Sequence, residues 1–168
     1  MIIVALGANL PSDYGEPTQT LQAAVKAIEA AGISVLSRSS IWLTAPVPYD
    51  PEVPDYHNAV IQVDTDQKPH DLLQTLLDIE QDFGRVRTVK NAPRLLDLDL
   101  IAYNDDIIRD GETLIVPHQR MHERTFVLKP LEEISKKWTH PVAGQNLAEL
   151  VQTLPVDQQA KKLEGILL

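Results

Sequence analysis

The chain has 168 residues, no cysteine and a formal net charge of −9 at pH 7. That length suits one domain with a sizeable core. The missing cysteines exclude disulfides and thiolate chemistry, and the acidic balance argues against a general nucleic-acid or membrane surface.

Residues 1–6 form an apolar run, predicted as a strand buried on both faces and stopped by Gly7-Ala8-Asn9. The glycine belongs to no G-x-G-x-x-G fingerprint, and the chain has no G-x-x-x-x-G-K-[ST] loop, so any ATP must be held without one. Residues 18–31 read as a helix with Leu21, Ala24, Val25 and Ile28 at helical spacing and Gly32 at its end. Residues 33–43 are β-rich. Residues 45–55 carry Pro46, Pro48, Pro51 and Pro54 and are expected to be irregular, a loop length that often serves function. Residues 56–63 form the next strand, with Tyr56 and Asn58 on one face. A flat ring beside an amide that donates and accepts suits a planar heterocycle, although the same pair fits the end of any strand. Residues 69–83 form a second amphipathic helix with Leu72, Leu73, Leu76, Ile79 and Phe83 inward, ended by Gly84. Glu80 lies near that end, where a carboxylate is expected in solvent or against a ligand hydroxyl.

The most informative stretch follows. Arg85, Arg87, Lys90 and Arg94 form a basic island in an acidic chain, with no acid between Gly84 and Leu96. Residues 93–101 then read as a strand. Leu96, Leu98 and Leu100 share one face, which leaves Asp97 and Asp99 on the other. Two neighbouring carboxylates repel unless a cation lies between them, and a hard cation such as magnesium takes oxygen ligands of this kind. Basic side chains leading into such a pair suit a metal-bound polyphosphate.

Tyr103-Asn104-Asp105-Asp106 is a turn signal, and Asp110-Gly111 centres a hairpin closed by Leu114-Ile115-Val116-Pro117-His118. Arg120, His122 and Arg124 follow. His118 and His122 lack a third metal ligand nearby, so phosphate or ribose contacts suit them better. Residues 126–134 and 147–154 are expected helices. The tail after Pro155 is polar and ends in Ile166-Leu167-Leu168, with no assigned role. The element order predicts an α/β (α+β) fold. Its ferredoxin-like β-α-β-β-α-β core has a mostly antiparallel sheet flanked by helices, with an added hairpin and C-terminal helices. One domain over residues 1–168 is expected.

These residues resemble the 6-hydroxymethyl-7,8-dihydropterin pyrophosphokinase family of folate biosynthesis. The resemblance runs from Ala5-Leu6-Gly7-Ala8-Asn9-Leu10 to about Leu154. Its most specific parts are Gly84-Arg85-Val86-Arg87, Pro93-Arg94-Leu95-Leu96-Asp97-Leu98-Asp99 and Val116-Pro117-His118. Pro54-Asp55-Tyr56-His57-Asn58-Ala59 and Arg124-Thr125-Phe126 add to it. The resemblance implies transfer of pyrophosphate from ATP to the pterin hydroxymethyl oxygen, leaving AMP. It implies two Mg2+ ions on Asp97 and Asp99, and catalytic roles for these two with Arg85 and Arg94. ATP would meet Glu80, Arg85, Arg87, Arg94, Leu100, His118 and Arg124. The pterin would meet Thr44, Val47, Tyr56, Asn58 and Phe126. Asn91-Ala92 stands where many members have an aromatic residue and a glycine. The expected protein is a cytoplasmic monomer with small-molecule substrates and neither nucleic acid nor membrane as partner. The alternatives are another magnesium- and ATP-dependent phosphoryl- or nucleotidyltransferase, or a non-catalytic ferredoxin-like binding module.

Overall fold

A computed structural model describes residues 1–46, 48–84, 95–156, 158 and 160–168. Val47 and the basic island with Arg85, Arg87, Lys90, Asn91, Ala92 and Arg94 lie outside the described residues.

The apolar N-terminal run forms β1 (Ile2–Ala8), buried on both faces as its composition predicts. It lies between β4 (Tyr56–Asp64) and β5 (Asp97–Tyr103), antiparallel to each. β2 (Ser34–Arg38) and β3 (Ser40–Thr44) continue one another along the far side of β4. At the junction the Ser39 hydroxyl takes over a ladder bond, accepting the Val60 N–H at 2.9 Å. That side-chain bond satisfies a backbone donor which the break in strand register would otherwise strand in the interior.

Two helices cover one face of the sheet. α1 (Pro17–Ala30) and α2 (Pro69–Asp82) each begin with proline in the first turn, where a missing N–H costs nothing. Leu21, Ala24, Val25 and Ile28 of α1 meet Leu72, Leu76 and Ile79 of α2 over Val4, Leu6, Ile61 and Leu98. Gly32 and Gly84 follow their helices with φ of 83° and 85°, a left-handed conformation that glycine adopts without a Cβ penalty. The hairpin of β6 (Ile108–Asp110) and β7 (Leu114–Val116) buries Leu114 and Val116 in the same core.

The opposite face carries α3 (Thr125–Ile134) and α4 (Leu147–Gln152). Val127, Leu128, Leu131, Leu147 and Leu150 pack there on Ile3, Ala5, Val60 and Ile101. The chain from β1 to β5 realises the ferredoxin-like β-α-β-β-α-β order. Among the described residues no helix is long and apolar enough to cross a membrane.

Two expectations change, and one open segment gains a place. Gly7-Ala8 does not stop β1: Gly7 stays in the ladder, opposite Asn58 and Asp97. β5 begins at Asp97, and Leu95 and Leu96 precede the strand. The C-terminal tail, without an assigned role in the sequence reading, joins the sheet. Residues 160–167 form β8 (Ala160–Leu167), which pairs antiparallel with β3 and extends the sheet to the order β5-β1-β4-β3-β8.

Candidate active site

α3 and α4 cover only part of their face. At one end the strands turn from apolar to polar on that side alone. Along β5 the side chains facing α3 run Ile101, then Asp99 and Asp97; along β4 they run Val60, then Asn58 and Tyr56. β1 between them offers Ala5 and Gly7. The register sets Asp97, Gly7, Asn58 and Trp42 in one row across four strands. Neighbouring strands are about 4.8 Å apart, so Asp97 and Asn58 flank Gly7 at roughly 10 Å separation. Gly7 is therefore the floor between two clusters of polar groups. A Cβ there would approach Asn58 Oδ1 to 3.3 Å. A glycine inside a strand often marks such a close approach.

The first cluster is charged. Asp97 and Asp99 project from one face of β5 and remain partly accessible. Arg124 Nη1 lies 3.4 Å from Asp99 Oδ2, and the two side chains keep 21% and 34% exposure. The carboxylates are hard oxygen donors on one face, which fits magnesium. No group of three or more His, Cys, Asp or Glu side chains that could hold a metal occurs among the described residues. A metal here would thus complete its shell with water or substrate oxygen.

His118 stands beside this cluster. Its backbone N–H donates to Ile101 O at 2.8 Å, which fixes it on the outer edge of β5. Burial first, and then the Arg124 and Arg120 charges, bring the imidazole pKa down to about 4 against the opposing pull of Asp97. The ring is therefore neutral near pH 7. Its Nδ1 accepts the Arg120 N–H at 3.2 Å, which leaves the proton on Nε2 as a donor.

The second cluster is uncharged. Asn58 is 5% exposed, and its Nδ2 donates to Thr44 Oγ1 at 2.9 Å and to Tyr56 O at 3.2 Å. Tyr56 is half-buried on the same face of β4. Across from the sheet, the first turn of α3 carries Phe126, whose ring centroid lies 5.4 Å from the Arg124 guanidinium carbon. That cation–π contact holds the Phe126 ring against the Arg124 charge.

The sequence profile of the 7,8-dihydro-6-hydroxymethylpterin-pyrophosphokinase family matches residues 3–136. The chain belongs to this family.

Relatives named 2-amino-4-hydroxy-6-hydroxymethyldihydropteridine pyrophosphokinase agree. One from Synechocystis is 40% identical over 151 residues, covering 89% of this chain and 74% of the relative. One from Haemophilus influenzae is also 40% identical over 151 residues, covering 89% of each. The folic acid synthesis protein fol1 of Pneumocystis carinii is 38% identical over 160 residues, and there the chain spans only 21% of the relative. Wild-type Plasmodium falciparum HPPK-DHPS superposes with a TM-score of 0.67 at 12% identity, over 90% of this chain and 44% of that one. At that identity it supports the fold.

Within the pyrophosphokinase family frame, the structure brings Asp97, Asp99, His118, Arg124 and Phe126 to one end of the sheet with Thr44, Tyr56 and Asn58. Arg85, Arg87, Arg94 and Val47 lie outside the described residues. Two expected site residues are placed differently from their simplest reading. Glu80 is not in solvent: it is 1% exposed, and its Oε1 accepts the Leu98 N–H at 2.7 Å. The tight backbone bond explains how a carboxylate tolerates burial. Leu100 turns its side chain into the α1–α2 core at 4% exposure. The Leu98 N–H points outward to Glu80, so the alternation of an antiparallel ladder points the Leu100 backbone outward too. Leu100 can thus offer a ligand only its backbone. Sequence reasoning missed Gly7, whose place inside a strand was the available signal. It also missed the bonds from Glu133 of α3 to Trp42 and Ser40, which no spacing announces.

Proposed function

We propose that this chain transfers pyrophosphate from ATP to the hydroxymethyl oxygen of 6-hydroxymethyl-7,8-dihydropterin, giving AMP and the pterin pyrophosphate for tetrahydrofolate synthesis. One observation carries the reading beyond family membership. A carboxylate pair and an uncharged ring-and-amide cluster sit on one sheet face with only Gly7 between them. That spacing matches a reaction that joins a polyphosphate to a flat heterocycle.

Asp97 and Asp99 hold magnesium, and the reading takes two ions. When bound, the metal neutralises phosphate charge and makes the attacking hydroxyl more acidic. Arg124, already beside Asp99, turns to the phosphates, with Arg85 and Arg94 as further cations from the basic island. Catalysis by positioning and charge neutralisation is what phosphoryl transfer asks of a protein. The neutral His118 ring donates from Nε2 to a nucleotide oxygen. The outward backbone of Leu100 meets the edge of the base, while Arg87 and the Glu80 end of α2 border the nucleotide. On the pterin side Asn58 and Thr44 read the ring edge, with Val47 alongside, and Tyr56 and Phe126 cover its two faces. The net charge of −9 supports a protein without nucleic-acid partners.

The test is a product assay with purified protein, ATP, magnesium and 6-hydroxymethyl-7,8-dihydropterin, resolved by chromatography. AMP formed in step with pyrophosphorylated pterin is the expected result. ADP as the nucleotide product would reject transfer from the β phosphorus and keep the metal site.

A further inference from the structure

The family match ends at residue 136, yet the chain beyond it returns to the ring end of the site. β8 sets Ala160 opposite Thr44. Two residues earlier, Gln158 Oε1 accepts the Thr125 backbone N–H at 3.4 Å. Thr125 opens α3 and stands between Arg124 and Phe126. The first turn of any helix has N–H groups with no acceptor inside the helix. The position before Thr125 is Arg124, whose side chain makes no capping bond. The Thr125 hydroxyl is buried without a partner among the described residues. Gln158 is thus the side-chain acceptor that this turn does not supply for itself.

The far end of α3 is held in the same way. Glu133 accepts from the Ser40 N–H at 3.0 Å and from Trp42 Nε1 at 2.8 Å, and Lys162 Nζ lies 3.4 Å from its Oε1. α3 is therefore held at both ends, by Gln158 just before β8 at its first turn and by β3 and β8 at its last. The C-terminal segment supplies one group to each end, Gln158 at the first turn and Lys162 at the last.

We infer that Gln158 is a positioning residue for the pterin: it sets the first turn of α3, and with it the Phe126 ring, at a fixed gap from Tyr56 and Asn58. This rests on the assignment of those side chains to the pterin. Tyr56, Asn58 and Thr44 are rooted in the sheet and need no such help. Phe126 comes from across the gap, so the width of the slot depends on how α3 is held. Arg124 shares the turn, but Asp99 holds it independently.

Calorimetry on the full chain separates the outcomes. A non-hydrolysable ATP analogue with magnesium is titrated first, and 6-hydroxymethylpterin is then titrated into the saturated complex. Gln158→Ala should weaken pterin binding about tenfold, equivalent to about 1.4 kcal/mol, with analogue affinity within about twofold. Gln158→Glu retains an acceptor and places a negative charge at a helix N-terminus, so it should bind pterin within about twofold of the parent. Unchanged pterin affinity in Gln158→Ala would overturn the inference. So would equal weakening of both ligands, which marks general loosening, or a Gln158→Glu variant as weak as Gln158→Ala, which marks direct contact with the ligand. Tyr56→Ala is the control: if it binds pterin normally, the ring-end assignment itself fails.

Discussion

The two faces of one sheet are built from alternate residues of the same strands, yet only one of them gives up hydrophobic burial. Toward α1 and α2 the strands present Ile2, Val4, Leu6 and Ala8, then Ala59, Ile61 and Val63, then Leu98 and Leu100. Toward α3 they begin as Ile3, Val60 and Ile101 and end as Gly7, Asn58 and Asp97. Stability and chemistry are thus separated by the two-residue period of a strand and not by distance along the chain. Leu98 and Asp97 are neighbours in sequence and belong to different tasks.

The largest expected effect tests that separation directly. Asp97→Ala should lower turnover by about a thousandfold or more, on the scale of losing a preorganised charge in a phosphoryl-transfer site, while cooperative unfolding persists. Leu98→Ala, one residue away, should do the reverse. It should cost about 2–5 kcal/mol in chemical denaturation and leave activity per folded molecule within a few-fold. If the two variants fail in the same way, the faces are not independent.

Gly7 sharpens the comparison from the middle. Gly7→Val places branched carbon against Asn58 Oδ1 and should weaken pterin affinity about tenfold, while magnesium–ATP analogue affinity stays within about threefold. Calorimetry with each ligand reads the difference. Glu80→Ala probes the edge of β5. It leaves the Leu98 N–H on that edge without its buried acceptor and should cost about 2 kcal/mol of stability by urea denaturation.

The smallest effect concerns pH. Burial raises the pKa of Glu133, but the Ser40 and Trp42 hydrogen bonds and the Lys162 charge outweigh it and hold the group below the usual carboxylate value. A depressed carboxylate stabilises the fold above its unfolded pKa and loses that contribution as pH falls through its folded value. Glu133→Gln should therefore lower the melting temperature near neutral pH. The gap to the parent should close as the pH is lowered from neutral through and below the ordinary carboxylate value of 4.5. A gap that stays constant across that range would show that charge plays no part in the clamp.

Much of this arrangement was legible in the residues. The alternation of Leu96, Leu98 and Leu100 with Asp97 and Asp99 determined which side of β5 faces the core, because strand periodicity is a local property. Helix spacing in Leu21, Ala24, Val25 and Ile28 worked for the same reason. What escaped depends on contacts between distant parts of the chain. Glu80 looked like a solvent acid because its partner, the Leu98 N–H, comes from another element. β8 escaped because an edge strand with Lys161, Lys162 and Glu164 needs only one apolar side, so its alternation is weak. Gly7 looked like a stop signal, yet the pairing of β1 with both neighbours holds it extended.

The plugged edge of β5 has a consequence for the protein at high concentration. An open strand edge is a template for another chain, and unprotected edges are where aggregation starts. Here Glu80 occupies the Leu98 N–H, and the His118 backbone occupies Ile101 O. At the opposite edge, β8 carries Lys161, Lys162 and Glu164. An incoming strand would have to displace a carboxylate on one side or align with fixed charges on the other. The β5 and β8 edges therefore disfavour polymer growth, and removing Glu80 would open a route at the first of them.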